Sequence, residues 1–260
     1  MKTPLPKISI VTPSFNQGPF LKKAIQSVLD QEYPNFEHII IDNCSTDESA
    51  EVLASFPHLR IVSEPDEGQS DAINKGFEMA EGDIIGWLNA DDFYYPNTFS
   101  SVAENLSSKE VDAVYADIHF IDKDDKILRK LTSHPPLKHL ILFYTYIQST
   151  SFFFKRKVLD EKMRIDKSLH LNMDKEFFAR LLYNNYKLKY VPEVYAAFRW
   201  HADNKSKPGK EVRSKTLSED LQIFNRYMGT KLKENPRNLA FMNVGNHSSK
   251  VVRQLLKLIG

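Results

Sequence analysis

One cysteine in 260 residues, Cys44, excludes an internal disulfide and fits a reducing compartment. No apolar run approaches the roughly 20 residues that a membrane-spanning helix needs. Residues 1–7 are too short and too proline-broken for a secretory signal, so a cytoplasmic protein is expected. Glycine is sparse, at 9 residues, and the turn after the first apolar strand, residues 12–18, lacks GxGxxG spacing, which removes a dehydrogenase-type dinucleotide site. A glycine- and arginine-rich phosphate loop is likewise missing near the N-terminus, which argues against a sugar nucleotidyltransferase. Net charge is only +1, so no nucleic-acid partner is expected. Repeats and low-complexity segments are absent. What remains is a chain of 42% hydrophobic residues, long enough to bury a full core without staples.

The N-terminal half alternates strand and helix patterns with short connections. Strands are predicted over 7–12, 38–41, 59–63 and 83–88, and helices over 20–29, 48–56 and 70–80. The helix over 20–29 carries Leu21, Ala24, Ile25 and Val28 on one face. Asp47 or Thr46 can cap the helix that follows, and Gly82 closes the third. Such alternation implies a mainly parallel sheet with helices on both faces.

In a sheet of this kind the polar loops after the strands share one edge, where ligands bind. Three such loops stand out: residues 12–18, residues 42–47, and Asn89-Ala90-Asp91-Asp92, which stops the apolar strand Ile84-Ile85-Gly86-Trp87-Leu88. Adjacent carboxylates at a strand end can hold a divalent metal against a diphosphate. Asp42 is placed to accept hydrogen bonds from a nucleobase or ribose, although an Asx-turn or a helix cap serves equally well for that residue alone. The acidic run Asp122-Lys123-Asp124-Asp125 falls between two strand patterns, 114–121 and 127–131, and reads as a solvated hairpin turn.

The strings Val11-Thr12-Pro13-Ser14-Phe15-Asn16-Gln17, Asp42-Asn43-Cys44-Ser45-Thr46-Asp47, Gln69-Ser70-Asp71-Ala72-Ile73-Asn74-Lys75-Gly76 and Trp87 to Asp92 together resemble a family 2 glycosyltransferase with the GT-A fold. Downstream, Gln148-Ser149-Thr150-Ser151-Phe152, Met173-Asp174-Lys175-Glu176-Phe177-Phe178-Ala179-Arg180, and Phe198-Arg199-Trp200-His201 with Asn204-Lys205-Ser206 continue the likeness in order. It covers residues 7 to about 206, and its force lies in the ordered set. The resemblance implies a Rossmann-like α/β catalytic domain over 1–206, with a nucleotide-binding half to about 95 and an acceptor half beyond it. A mostly helical extension follows over 207–260.

The resemblance also implies roles. Thr12, Pro13, Asp42 and Asn43 would line the nucleotide, Asp71 and Asn74 would border ribose and diphosphate, and Asn89, Ala90 and Gln148 would face the donor. Asp91, Asp92 and His201 would hold Mn2+ or Mg2+, and Asp174 would be the catalytic base. The implied reaction is inverting transfer from a nucleotide sugar, UDP-linked by family habit, to a saccharide or lipid-linked acceptor in cell-surface polysaccharide or glycolipid synthesis. One position departs from the pattern: the first carboxylate of the DXD motif is here the neutral amide Asn89. By position alone, Asp174 is also an N-cap for a helix over 175–183, and His201 an exposed or ring-stacked histidine. A non-catalytic sugar-nucleotide-binding or scaffold protein is the rival, and it leaves Asp174 and His201 without a task.

Charge is distributed unevenly. Residues 199–260 hold 13 Lys and Arg against 5 Asp and Glu, a net +8, so the rest of the chain carries −7. A helix is predicted over 211–227, residues 228–249 have no clear period, and 250–259 form a basic amphipathic piece. That piece suits peripheral contact with an anionic membrane, packing on its own domain, or a dimer contact.

Overall fold

The computed structural model describes residues 4–201, 204–205 and 209–246. The amphipathic piece at 250–259 and Ser206 lie outside the described residues. In chain order the elements are β1 (Ile8–Ser14), α1 (Gly18–Leu29), β2 (Phe36–Asp42), α2 (Ser49–Ala54), β3 (Arg60–Ser63), α3 (Gln69–Met79), β4 (Ile84–Trp87), β5 (Phe93–Tyr94) and α4 (Thr98–Asn105). They continue with β6 (Ala113–Ile121), β7 (Ile127–Leu131), β8 (Phe153–Lys155), α5 (Lys157–Asp160), α6 (Met173–Tyr183), β9 (Leu188–Arg199) and α7 (Lys210–Met228). A further helix, α8, covers 236–246.

The strands form one sheet in the order β3-β2-β1-β4-β8-β6-β9-β5, with β7 paired to β6. β1, β2, β3, β4, β6 and β9 run one way, and β5, β7 and β8 run against them. The mainly parallel sheet is therefore present, with the opposed strands all following β4 in the chain. β1 is buried along its whole length, as a central strand covered on both faces must be. Register sets Ser14 beside Asp42 and Val11 beside Trp87, which brings the ends of β1, β2 and β4 to one edge. Gly76 lets α3 lie close on β1, since a Cβ there would overlap the Val11 side chain.

Trp87 is 1% exposed and stacks on Phe178 at 6.2 Å and 16°, with Phe177 edge-on at 5.9 Å. This aromatic packing anchors α6 over β4 and holds the first turn of α6 above the strand end. α7 is not a detached appendage, because Leu221, Ile223 and Phe224 join the same core as Trp87. α8 fills part of the segment without a clear sequence period. Asn235 accepts the Asn238 N–H at 2.9 Å and Pro236 opens the helix, a start signal that the irregular apolar pattern conceals.

Candidate functional site

The ends of β1, β2 and β4 open onto a cleft of about 450 Å³. Pro13 and Phe15 line it after β1, Asn43 after β2, and Asn89, Ala90 and Asp91 after β4; Asp174 faces them from α6. Phe15 stands at the rim, 54% exposed. Gly68, also in the wall, precedes α3 with φ 109, a conformation open to glycine but strained for other residues. The three loops that the sequence placed on one edge do share one cavity.

The two adjacent carboxylates have different surroundings. Asp91 lines the cleft, and its Oδ2 lies 3.1 Å from His201 Nε2 and 3.4 Å from Asn204 Nδ2. Asp92 turns inward and is 1% exposed. Its Oδ2 accepts from Thr150 Oγ1 and Asn89 Nδ2, both at 3.0 Å, and its Oδ1 accepts the Arg199 N–H at 2.9 Å. Burial, and then the neighbouring Asp91 charge, push the Asp92 carboxyl well above the usual carboxylate range. Asp92 therefore braces the loop from behind and does not present a ligand to the cleft.

The Asn89 departure follows from the same geometry. Its amide donates to Asp92 and accepts from Gln69 Nε2 at 2.9 Å, so it joins the loop to the start of α3. A carboxylate there would face a buried carboxylate. Asn89→Asp should lower stability by about 1–3 kcal/mol near pH 8, and the deficit relative to wild type should narrow as pH falls and the pair shares a proton. Paired thermal melts at pH 8 and pH 5.5 check this; an equal deficit at both pH values counts against it.

Several expected site residues lie behind the cleft wall. Asp42 is 4% exposed and accepts from Ser45 N–H at 2.9 Å, Ser45 Oγ at 2.6 Å and Ser63 Oγ at 3.1 Å, so the Asx-turn role prevails and the adjacent Asn43 faces the cavity. Asn74 clasps the Ile165 backbone at 2.9 and 2.8 Å. Asp71 pairs with Lys167 at 2.8 Å, which holds its carboxyl low. Ser149 lines the cleft, whereas Gln148 is absent from its wall. Thr12 is fully buried and its Oγ1 meets His38 Nε2 at 2.8 Å.

The His38 contact has a consequence for acid stability. Burial pushes the His38 imidazole down to about 3, with His58 adding to the effect. The unfolded chain takes up this proton near pH 6.5 and the folded chain does not, so stability is intact above that pH and falls below it, by up to ~1.4 kcal/mol per pH unit. Urea melts at pH 7 and pH 5 should show the loss, and His38→Gln, which retains a partner for Thr12, should flatten the slope.

Asp174 sits in the first turn of α6 rather than at its cap, because the helix begins two residues earlier than expected, at Met173. Its Oδ1 accepts the Lys175 N–H at 2.7 Å. Burial raises its carboxyl to about 6, with the Lys175 and Lys205 charges opposing the rise. A carboxylate that ionises near neutrality inside a cleft is suited to accepting a proton.

Among the described residues no group of three His, Cys, Asp or Glu is gathered about a point. The Asp91–His201 pair at the cleft edge nevertheless fits a hard divalent ion that keeps waters and completes its shell with phosphate oxygens.

Arg199, quoted in the sequence motif without a role, is the principal residue that sequence reasoning missed. Only 2% exposed, it donates through Nε to the Asp91 carbonyl at 2.9 Å, through Nη1 to the Asp122 and Lys123 carbonyls at 3.1 Å, and pairs with Asp125 at 2.6 Å. The acidic hairpin turn is present as expected, but it is docked onto the Asp91 loop rather than simply solvated. The only available signal was an arginine two residues before a site histidine.

Residues 9–172 match the family model for glycosyl transferase family 2. The chain is similar to TuaG of Bacillus subtilis, described as a putative teichuronic acid biosynthesis glycosyltransferase, with 27% identity over 135 residues, 50% of this chain and 54% of that protein. The chain thus spans about half the length of the first curated relatives it matches. Its fold resembles S. aureus TarS solved with UDP-GlcNAc (TM-score 0.65, 14% identity, 85% of this chain and 71% of that one). It also resembles the mannosyltransferase PcManGT of Pyrobaculum calidifontis solved with GDP-Man and Mn2+ (TM-score 0.65, 17% identity, 99% and 77%). With a family match across most of its length and a GT-A architecture beneath it, this chain belongs to glycosyl transferase family 2.

Proposed function

We propose that this protein transfers a sugar from a nucleoside-diphosphate donor, UDP-linked in preference to GDP-linked, to an acceptor hydroxyl with inversion at the anomeric carbon. The observation that carries this reading is the placement of Asp91 and Asp174 on two walls of one cleft. The donor diphosphate lies toward Asp91 and His201, and its nucleoside toward Pro13 and Asn43. Mn2+ or Mg2+ held by Asp91 and His201 would supply counter-charge to the diphosphate. Support for a divalent ion comes from the Mn2+ bound in PcManGT. The Lys205 ammonium, also in the cleft wall, adds positive charge.

Asp174 orients the acceptor hydroxyl and takes its proton as the oxygen attacks the anomeric carbon. The bond to the departing phosphate oxygen breaks on the opposite face, so configuration inverts and no side-chain nucleophile is needed. A saccharide or lipid-linked acceptor of a surface polysaccharide is the favoured class, supported by the likeness to TuaG. No helix among the described residues is long and apolar enough to cross a membrane. Approach to a lipid-linked acceptor would instead use the +8 segment from Arg199 onward.

The test is a panel of UDP-, GDP- and dTDP-sugars incubated with glycan and lipid-linked acceptors, read by mass spectrometry for product and by NMR for its anomeric configuration. An inverted product from a UDP-sugar is expected. Nucleotide binding without transfer across the panel would favour a binding or scaffold protein.

A further inference from the structure

The N-terminus of a helix leaves backbone N–H groups without intrahelical partners, and a local side chain usually satisfies one of them. In α6 the residue before the helix does not do this, and among the first-turn N–H groups it is Asp174 itself that accepts from Lys175. Asn172 precedes the helix but makes no side-chain cap; its amide donates away, to the Thr216 carbonyl at 2.9 Å and to Asp220 Oδ1 at 3.0 Å. Glu219 of α7 holds the backbone that leads into the helix. Its Oε1 accepts the His170 N–H at 3.0 Å, and its Oε2 accepts those of Leu171 at 2.9 Å and Asn172 at 2.8 Å. Next to it, Asp220 receives Lys175 Nζ at 2.5 Å.

The segment thus has two sides. His170, Leu171, Met173 and Asp174 face the cleft, while the 170–172 N–H groups and the Asn172 and Lys175 side chains are tied to α7. Glu219 and Asp220 are 4% and 3% exposed, an expensive placement for two adjacent carboxylates. Apolar side chains would serve packing alone at least as well. Both lie beyond residue 172, where the family match ends.

We propose that Glu219 is a positioning residue for the reaction: by holding the backbone of residues 170–172 it fixes the Asp174 carboxyl against the acceptor, which makes α7 a brace behind the cleft wall. This inference rests on the transferase reading above. Charge-assisted hydrogen bonds to three consecutive N–H groups are strong and directional, and displacement of a catalytic group by about 1 Å costs on the order of 100-fold in rate.

The test compares the intact wild-type chain with Glu219→Gln and Glu219→Asp. In Glu219→Gln, amide exchange at 170–172 should quicken by about 10-fold or more while the sheet stays protected. Affinity for UDP with Mn2+ should hold within about 2-fold, and kcat should fall by about 10- to 100-fold, with partial recovery in Glu219→Asp. Unchanged exchange at 170–172, or quickened exchange with unchanged kcat, overturns the proposal. If Glu219→Gln does not fold, Glu219→Asp carries the comparison: a lower kcat at unchanged UDP affinity supports the proposal and an unchanged kcat overturns it. If the wild type transfers no sugar, the transferase reading fails by itself. Positioning is then judged by 13C titration of the Asp174 carboxyl in the variant that folds: a midpoint moved by about half a unit or more supports it, and an unmoved one overturns it.

Discussion

Asp174→Asn should leave UDP binding intact and reduce transfer by about 10²- to 10⁴-fold. The substitution keeps size and can keep the hydrogen bond that the carboxylate accepts from Lys175 N–H, but it removes the carboxylate proposed to take the acceptor proton. With the wild-type carboxyl raised to about 6, transfer should climb with pH through that region, and the variant should lack this limb. The same variant should be more stable than wild type. A carboxyl whose folded value lies above its unfolded value favours folding at low pH, and that contribution is lost as pH rises through about 6. Above pH 7 the amide should therefore melt higher, by an amount on the order of 1–3 kcal/mol, as expected of a site residue kept at a cost in stability under the proposed role. Rate profiles and thermal melts at pH 7.5 check both halves. Near wild-type transfer would reduce Asp174 to a structural residue of the first turn of α6.

The second large effect is expected at Asp91. Asp91→Ala removes the cleft carboxylate proposed to face the diphosphate and takes from His201 its 3.1 Å contact. The stimulation of transfer by Mn2+ should be lost, and kcat/KM should fall by more than about 100-fold, because the diphosphate and its developing charge lose their counter-ion. Asp92→Asn should behave differently. Asp92 braces the loop through Thr150, Asn89 and the Arg199 N–H, so its replacement should show first in stability. Rates measured over a Mn2+ titration separate the two; equal Mn2+ dependence in wild type and Asp91→Ala would remove Asp91 from the metal.

Much of this arrangement was legible in the sequence because it depends on local periodicity. Buried strands that end abruptly in polar loops placed Pro13, Asn43 and Asp91 on one edge without any long-range information. What was not legible depends on partners far along the chain. Asp91 and Asp92 are equivalent in sequence, and their opposite orientations are bound up with Arg199 and Thr150, 107 and 58 residues from Asp92. Asp42 and Asn43 exchange their expected importance because Ser45 and Ser63 occupy the Asp42 carboxylate. Asn74 lay in the right string, yet Ile165, 91 residues away, takes both ends of its amide. α7 was visible as a helix over 211–227, but its low overall apolarity concealed that Glu219 and Asp220 reach back to the Asp174 segment.

The central claim is that this cleft takes a nucleoside diphosphate through a divalent ion at Asp91. Calorimetric titration of UDP into the wild-type chain, once with Mn2+ and once in EDTA, tests it most directly. The account predicts a single site, at least about 10-fold tighter with Mn2+. Equal affinity under both conditions, or no binding in either, would contradict it.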